Sequence, residues 1–197
     1  RFVTVGLNRT IHTSSDGVTW TERTSGTSKV LYEVTYGKGT FVVVGLIGLI
    51  LTSSNGTTWT SRTTDTSNSF YGVNYGNNTF VAVGNSGIIL TSSDGTSWDN
   101  RTSGTTQNLH DVTYGNSTFV TVGGEIGTQT ILTSSDGISW TSRTSGTTNY
   151  LIGVTYANST FVAVGYYGSI VTSSDGISWT SRTSGTINDL YGVTYKE

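Results

Sequence analysis

Cysteine is absent from the 197 residues. That excludes disulfides, zinc thiolates and thiol catalysis, and leaves the redox compartment unread. Methionine is absent too, and Arg1 stands at the head. A processed product or a segment of something longer is expected, with any signal peptide already removed. Charged residues make up only 11% of the chain against 34% apolar ones. The net charge of −2 offers no electrostatic footprint for nucleic acid or an anionic membrane. No apolar run approaches the roughly 20 residues of a membrane-spanning helix. Nor does any apolar pattern recur at a helical period. What fills the chain is Thr, Ser, Gly and Asn, with Val, Ile, Phe, Tyr and Trp returning at fixed places, which is not a disordered composition. Few lysines amid Thr and Ser point to an exported protein, secreted or held at the cell surface.

The fixed places are those of a repeat. Tryptophans stand at 20, 59, 98, 140 and 179, in steps of 39, 39, 42 and 39. The long step comes from an insertion at Gly124 to Thr130. Five copies begin near residues 2, 41, 80, 119 and 161 and fill one domain, 1–197. A period in this range predicts a stack or ring of small structural units.

Each unit reads as four short strands. In the copy from Leu151 they are expected at 151–156, 161–164, 169–173 and 178–183, separated by Gly/Asn/Asp/Ser clusters. The second and third strands are apolar on both faces, as in Val81-Ala82-Val83 and Ile88-Ile89-Leu90, so each sheet needs neighbours on both sides. Blades packed radially satisfy that requirement, and so does a sandwich. The chain opens on a second strand, Phe2 to Val5, and closes on a spare first strand, Leu190 to Tyr195. Docking the last strand into the first unit predicts an all-β, five-bladed β-propeller with four antiparallel strands per blade. A stretch cut from a longer array would show the same ends.

The third strand runs into the most specific motif, Ser15-Asp16-Gly17-Val18-Thr19-Trp20. It returns at Asp94 to Trp98, Asp136 to Trp140 and Asp175 to Trp179, and at Asn55 to Trp59 with Asn in place of Asp. A short Asx side chain accepts backbone N–H groups in a tight turn, Gly takes positive φ, and Trp is expected to pack between strands. Asn55 does the same uncharged, so the role is structural. Here the chain resembles the Asp-box, or sialidase-like, repeat propellers, whose pattern is Ser-x-Asp-x-Gly-x-Thr-Trp. This sequence is one residue tighter between Asp and Gly. The resemblance covers all five copies. It is nearest to bacterial surface repeat proteins and more distant from photosystem assembly-factor-like propellers. It implies that the box lies away from the ligand face.

Sialidase chemistry does not follow from the resemblance, because fold does not carry function. Arg23, Arg62, Arg101, Arg143 and Arg182 share one repeated position and read as a ring of outer-edge arginines, not a convergent carboxylate clamp. The box aspartates are one per blade and committed to turns, whereas a glycosidase needs two carboxyl groups at controlled separation. His110-Asp111 is the one adjacent His/acid pair, and Glu33 shares the column of Asp111. With the first strand innermost, both acids face the central channel, where a cation or water could bind, and the simpler expectation is solvated polar residues at its mouth. Metal sites need more ligands, and no metal or cofactor is expected. Six Asn-x-Ser/Thr sequons, at Asn8, Asn55, Asn77, Asn100, Asn116 and Asn158, follow from composition.

Alternating strand direction puts the monotonous turns, Gly-Asn-Ser-Thr and Ser-Asp-Gly, on one face. The other face carries loops that differ from copy to copy: Leu46-Ile47, Asn85-Ser86, Gly124 to Gln129, and Tyr166-Tyr167. Loops on a rigid scaffold are where binding resides. The candidate ligand residues are therefore Tyr150, Tyr166, Tyr167, Asn149, Glu125, Gln129, His110 and Asp111. The function expected is non-enzymatic recognition, of a glycan first and a protein surface second. The rival is a structural role in a surface fibre or longer repeat protein, with self-association through the apolar Leu46-Ile47 tip.

Overall fold

In the computed structural model, residues 1–125 and 127–196 are described. They form five antiparallel sheets in chain order. Blade one has three strands, β1 (Phe2–Val5), β2 (Ile11–Ser14) and β3 (Thr21–Arg23). Blade two has β4 (Leu31–Gly37), β5 (Thr40–Gly45), β6 (Ile50–Ser53) and β7 (Thr60–Arg62). Blade three has β8 (Phe70–Gly76), β9 (Thr79–Gly84), β10 (Ile89–Ser92) and β11 (Asp99–Arg101). Blade four has β12 (Leu109–Gly115), β13 (Thr118–Glu125), β14 (Thr128–Ser134) and β15 (Thr141–Arg143). Blade five has β16 (Leu151–Ala157), β17 (Thr160–Gly165), β18 (Ile170–Ser173) and β19 (Thr180–Arg182). The last strand of each blade is shorter than the pattern suggests, because the box turn takes its first residues. The insertion in copy four lengthens β13 and β14 into a longer hairpin, Glu125 opposite Thr128. Ile126 lies outside the described residues.

Strands that are apolar on both faces bury both. Val42, Val44 and Ile50 of blade two pack against Phe70, Phe80 and Ala82 of blade three. Val81, Val83 and Ile89 meet Leu109, Phe119 and Leu132 of blade four, and Val120, Val122 and Ile131 meet Leu151, Phe161 and Val171 of blade five. The core is thus a series of layers between blades, not a single centre. The inner strands β4, β8, β12 and β16 carry one bulge each, at Leu31/Glu33, Phe70/Gly72, Leu109/Asp111 and Leu151/Gly153. A bulge leaves one residue out of the ladder and re-aims its neighbours.

Glycine sets the spacing of three seams. A Cβ on Gly37, Gly76 or Gly115 would fall 2.1 Å from the ring of Tyr75, Tyr114 or Tyr156 in the next blade. Each tyrosine ring therefore lies flat on bare backbone. In blade five the same column holds Ala157, which carries the Cβ that this seat excludes.

The expected pairing of residues 190–195 with blade one is not seen. Leu190 N–H donates to the Gly165 carbonyl at 3.0 Å, and the Tyr191 carbonyl lies against Gly153, but residues 190–196 form no ladder. Tyr195 is the counterpart of Tyr75, Tyr114 and Tyr156, and its ring is 51% exposed. At the other end β1 has no inner neighbour, and Phe2 is 55% exposed where Phe80, Phe119 and Phe161 are fully buried.

Candidate functional site

The box turn is built as its residue types require. The Asx Oδ1 accepts the N–H groups two and three residues on, at 2.7–3.1 Å, in all five copies. Asn55 does so at 2.8 and 3.0 Å, as Asp136 does. The box glycines take φ between 74° and 79°. Backbone N–H groups hold the carboxyls of Asp16, Asp136 and Asp175 below their ordinary value, and a Thr96 hydroxyl does most for Asp94. The tryptophans pack at the blade cores as expected, Trp59, Trp98, Trp140 and Trp179 each against one of the hydrophobic clusters. Their rings sit 6.3–6.5 Å from the phenylalanines of the second strands, yet none is fully buried, and Trp20 is exposed. Four of them, all but Trp59, donate Nε1–H to the box glycine carbonyl at 2.9–3.2 Å. The five arginines each donate Nε–H to a threonine Oγ1 on the adjacent strand at 2.7–2.9 Å, one per blade along the outer edge.

On the opposite face the loops are pinned to one another. Ile47, Ser86 and Tyr167 all take φ of 54°, a left-handed conformation that costs a side-chain-bearing residue, most of all a β-branched one such as Ile47. Each has its N–H held by a side chain from the next loop: Ser69 Oγ, Asn108 Oδ1 and Asp189 Oδ1. The strain thrusts Ile47 and Tyr167 outward, and Tyr167 is 62% exposed. Asn149 donates to Ser169 Oγ at 2.9 Å and shares a shallow pocket with Tyr167. Glu125, His110 and Tyr150 line a separate pocket of about 390 Å³ with Asn108 and Gly124. Gln129 stands apart from both pockets, and its Oε1 is buried without a partner.

His110 belongs to a chain of aromatic rings that pattern reading did not assemble. Tyr32 meets Tyr71 edge-on at 5.4 Å, Tyr71 stacks on His110 at 5.6 Å, and His110 meets Tyr150 at 5.8 Å. Tyr150 continues to Tyr166 at 3.9 Å, which reaches Tyr167 and Tyr191 at 6.4 and 6.3 Å. Tyr32, Tyr71, His110 and Tyr191 hold one repeated position, which Ile152 occupies in the remaining copy, so the repeat register was the signal available. Burial pushes the phenols of Tyr71 and Tyr150 up and keeps His110 below its ordinary value, toward the neutral imidazole.

The neighbouring residues are acids, and they are not merely solvated. Glu33 Oε2 accepts the N–H of Val73 at 2.6 Å, reaching from β4 to β8. Asp111 Oδ1 accepts from Val112 at 2.7 Å and Oδ2 from Val154 at 2.8 Å, bridging β12 to β16. Both acids thus satisfy N–H groups just past a bulge. Burial pushes both carboxyls up, Asp111 to about 6, and the Asp111 charge raises Glu33 further. Asp111 is held by backbone rather than by His110. The only ion pair among the described residues is Arg101–Asp99, so neither half-buried acid has a cationic neighbour within salt-bridge distance.

No family model matches the chain, and no curated protein matches it in sequence. Solved structures do match in shape. YCF48 bound to D1 peptide superposes with a TM-score of 0.71 at 20% identity, over 92% of this chain and 63% of that one. YCF48 from Cyanidioschyzon merolae gives 0.68 at 18% identity, over 94% and 69%. A streptogramin B lyase gives 0.78 at 14% identity, over 90% and 62%. The fold is a β-propeller. The chain spans about 63% of the length of the peptide-bound YCF48 propeller. At these identities the likeness concerns the fold alone, and both a lyase and a peptide-bound protein share it.

Proposed function

We propose that this propeller is a non-catalytic recognition module that holds a polypeptide segment on its variable-loop face. The observation that carries the reading is the continuous row of aromatic rings from Tyr32 to Tyr191, beside strained loops pinned to one another. Aromatic groups held on rigid strands and pinned loops bind at little entropic cost, and they anchor protein surfaces. A related fold captured with a peptide supports the polypeptide over the glycan expected first. The exposed ring of Tyr167 favours a glycan as second reading, since sugars stack on such faces. A peptide array and a glycan array, each run with and without Tyr166→Ala and Tyr167→Ala, separate the two. Ligands retained unchanged by the double variant would remove this face.

The finer assignments belong to the same proposal. The repeated box motif supports grouping the repeat with the Asp-box propellers, and the composition suits a secreted or surface protein. Residues 190–196 complete blade one in solution, a reading supported by their position beside β16. Deleting them is expected to cause unfolding or self-association, and a monomeric, equally stable deletion variant would refute closure. The fibre-subunit reading rests on the Ile47 tip, and polymers that grow with concentration in light scattering would favour it. Turnover of a fluorogenic sialoside, abolished by one Asp or Tyr substitution, would overturn the non-catalytic assignment.

A further inference from the structure

We propose that the mouth framed by Tyr32, Tyr71, His110 and Tyr150 receives the side-chain cation of a lysine or arginine from that polypeptide, drawn by the carboxylates of Glu33 and Asp111. The inference rests on the recognition reading and adds the chemistry of the anchor. Three observations converge. First, Glu33 and Asp111 follow directly on Tyr32 and His110, so acids and rings occupy adjacent positions of the inner strands. Second, Glu33 reaches Val73 while the backbone of Asp111 packs against the adjoining Gly72, where a Cβ would fall 2.9 Å from Asp111 Cα, and no cation is paired to either half-buried acid among the described residues. Two half-buried anions of like sign destabilise each other unless a positive charge joins them. Third, the rings offer what an organic cation needs and a metal does not. Their faces carry negative potential, and a desolvated ammonium or guanidinium gains from it.

A metal ion fits this place poorly. Among the described residues no third His, Asp or Glu joins the two acids, whereas hard cations take six or more oxygen ligands. Three of the four carboxylate oxygens already accept a backbone N–H, which leaves Glu33 Oε1 without a donor among the described residues. That is one acceptor for an ammonium or one arm of a guanidinium. The pocket beside His110 and Tyr150, about 390 Å³, adds the exposed acid Glu125 at its rim and has room for the alkyl stem. Neutral His110 does not repel such a guest.

The test follows backbone amides by NMR. Val73 and Val154 donate to the two carboxylates, so their N–H shifts report on the anions directly. The probes are a pentapeptide with one central lysine between glycines, both ends blocked, and its Nε-acetyl-lysine counterpart. Saturable shifts of Val73, Val154 and His110 are expected with the lysine peptide, and at least ~10-fold weaker binding with the acetylated one. Glu33→Gln keeps an acceptor for Val73 and so should stay folded, and it is expected to weaken the lysine peptide about tenfold. Tyr71→Leu is expected to weaken it several-fold. Equal binding of both peptides, no loss in Glu33→Gln, or no saturable shift up to about 10 mM would overturn the proposal. Tyr167→Ala separates the two readings. If it abolishes array ligands while the lysine peptide binds wild type and Glu33→Gln equally, the loop face stands and the cation site falls. If arrays yield nothing but the lysine response survives Tyr167→Ala, the cation site stands alone.

Discussion

Replacing Asp136 isolates what a box side chain contributes. Its Oδ1 accepts N–H groups from Ile138 and Ser139 at 2.8 and 3.0 Å and a hydroxyl from Ser134 at 2.9 Å. Alanine removes that acceptor and frees two backbone donors. The turn is exposed, so water re-satisfies them and the cost lies well below that of a buried orphan. Short side chains capping backbone N–H groups contribute ~0.5–2 kcal/mol, and the exposed setting places Asp136→Ala near ~1 kcal/mol. For a domain of this size that lowers Tm by about 2–4 °C. Asp136→Asn should lie within ~0.5 kcal/mol of wild type, because Asn55 makes the same two bonds in blade two. Urea denaturation with coincident fluorescence and circular-dichroism transitions gives both values. Ligand binding at a temperature where all variants are folded should be unchanged. If asparagine proved as damaging as alanine, charge rather than acceptance would hold the turn. If alanine left stability intact but abolished binding, the box would be a functional site and the assignment of the two faces would be reversed.

Trp140→Ala should cost ~1.5–3 kcal/mol by urea denaturation, less than a fully buried ring would, because the indole is only half-buried; a loss above ~5 kcal/mol would contradict that exposure. Gly115→Ala must displace the Tyr156 ring from a 2.1 Å contact and should cost about 3 kcal/mol, whereas Gly104→Ala meets open space and only strain at φ 76°; equal losses would remove the seam argument. Glu33 and Asp111 carry raised carboxyl values in the fold, so the folded state binds the extra protons and their favourable contribution is lost as pH rises, for Asp111 between 3.8 and about 6. Glu33→Gln should therefore gain stability over wild type at neutral pH and gain less near ~pH 4.5; denaturation giving the same gain at both would refute the buried-acid account.

The architecture was legible wherever the repeat wrote it several times. Tryptophan spacing located every box, and the second strand expected at 161–164 runs Thr160–Gly165. The asparagine at position 55 already argued that the box is structural, and its hydrogen bonds agree. The two faces followed from strand alternation alone. Legibility failed where distance between blades decides. The column of Tyr32, Tyr71 and His110 was visible, but contact between its rings depends on how closely bare glycine lets the inner strands approach. Likewise nothing local in Tyr32-Glu33-Val34 announces a carboxylate that reaches Val73, because the bulge that exposes that N–H belongs to another blade. The indoles were expected to pack between strands, and four of them do so while staying half-buried, an extent of exposure that the motif alone does not set.

The glycine–tyrosine seams also bear on how the molecule comes apart. Each blade meets only its neighbours, so stability is a sum of units and junctions, as in a one-dimensional chain of coupled elements. Three junctions carry the seam, joining blades two to five, while Ala157 and the inner edge of blade one lie beyond it. Blades two to five then open as one cooperative block, and blade one exchanges its amides first. A propeller of this kind stores its cooperativity in missing methyl groups, and a single alanine in a seam column is enough to divide one folding unit into two.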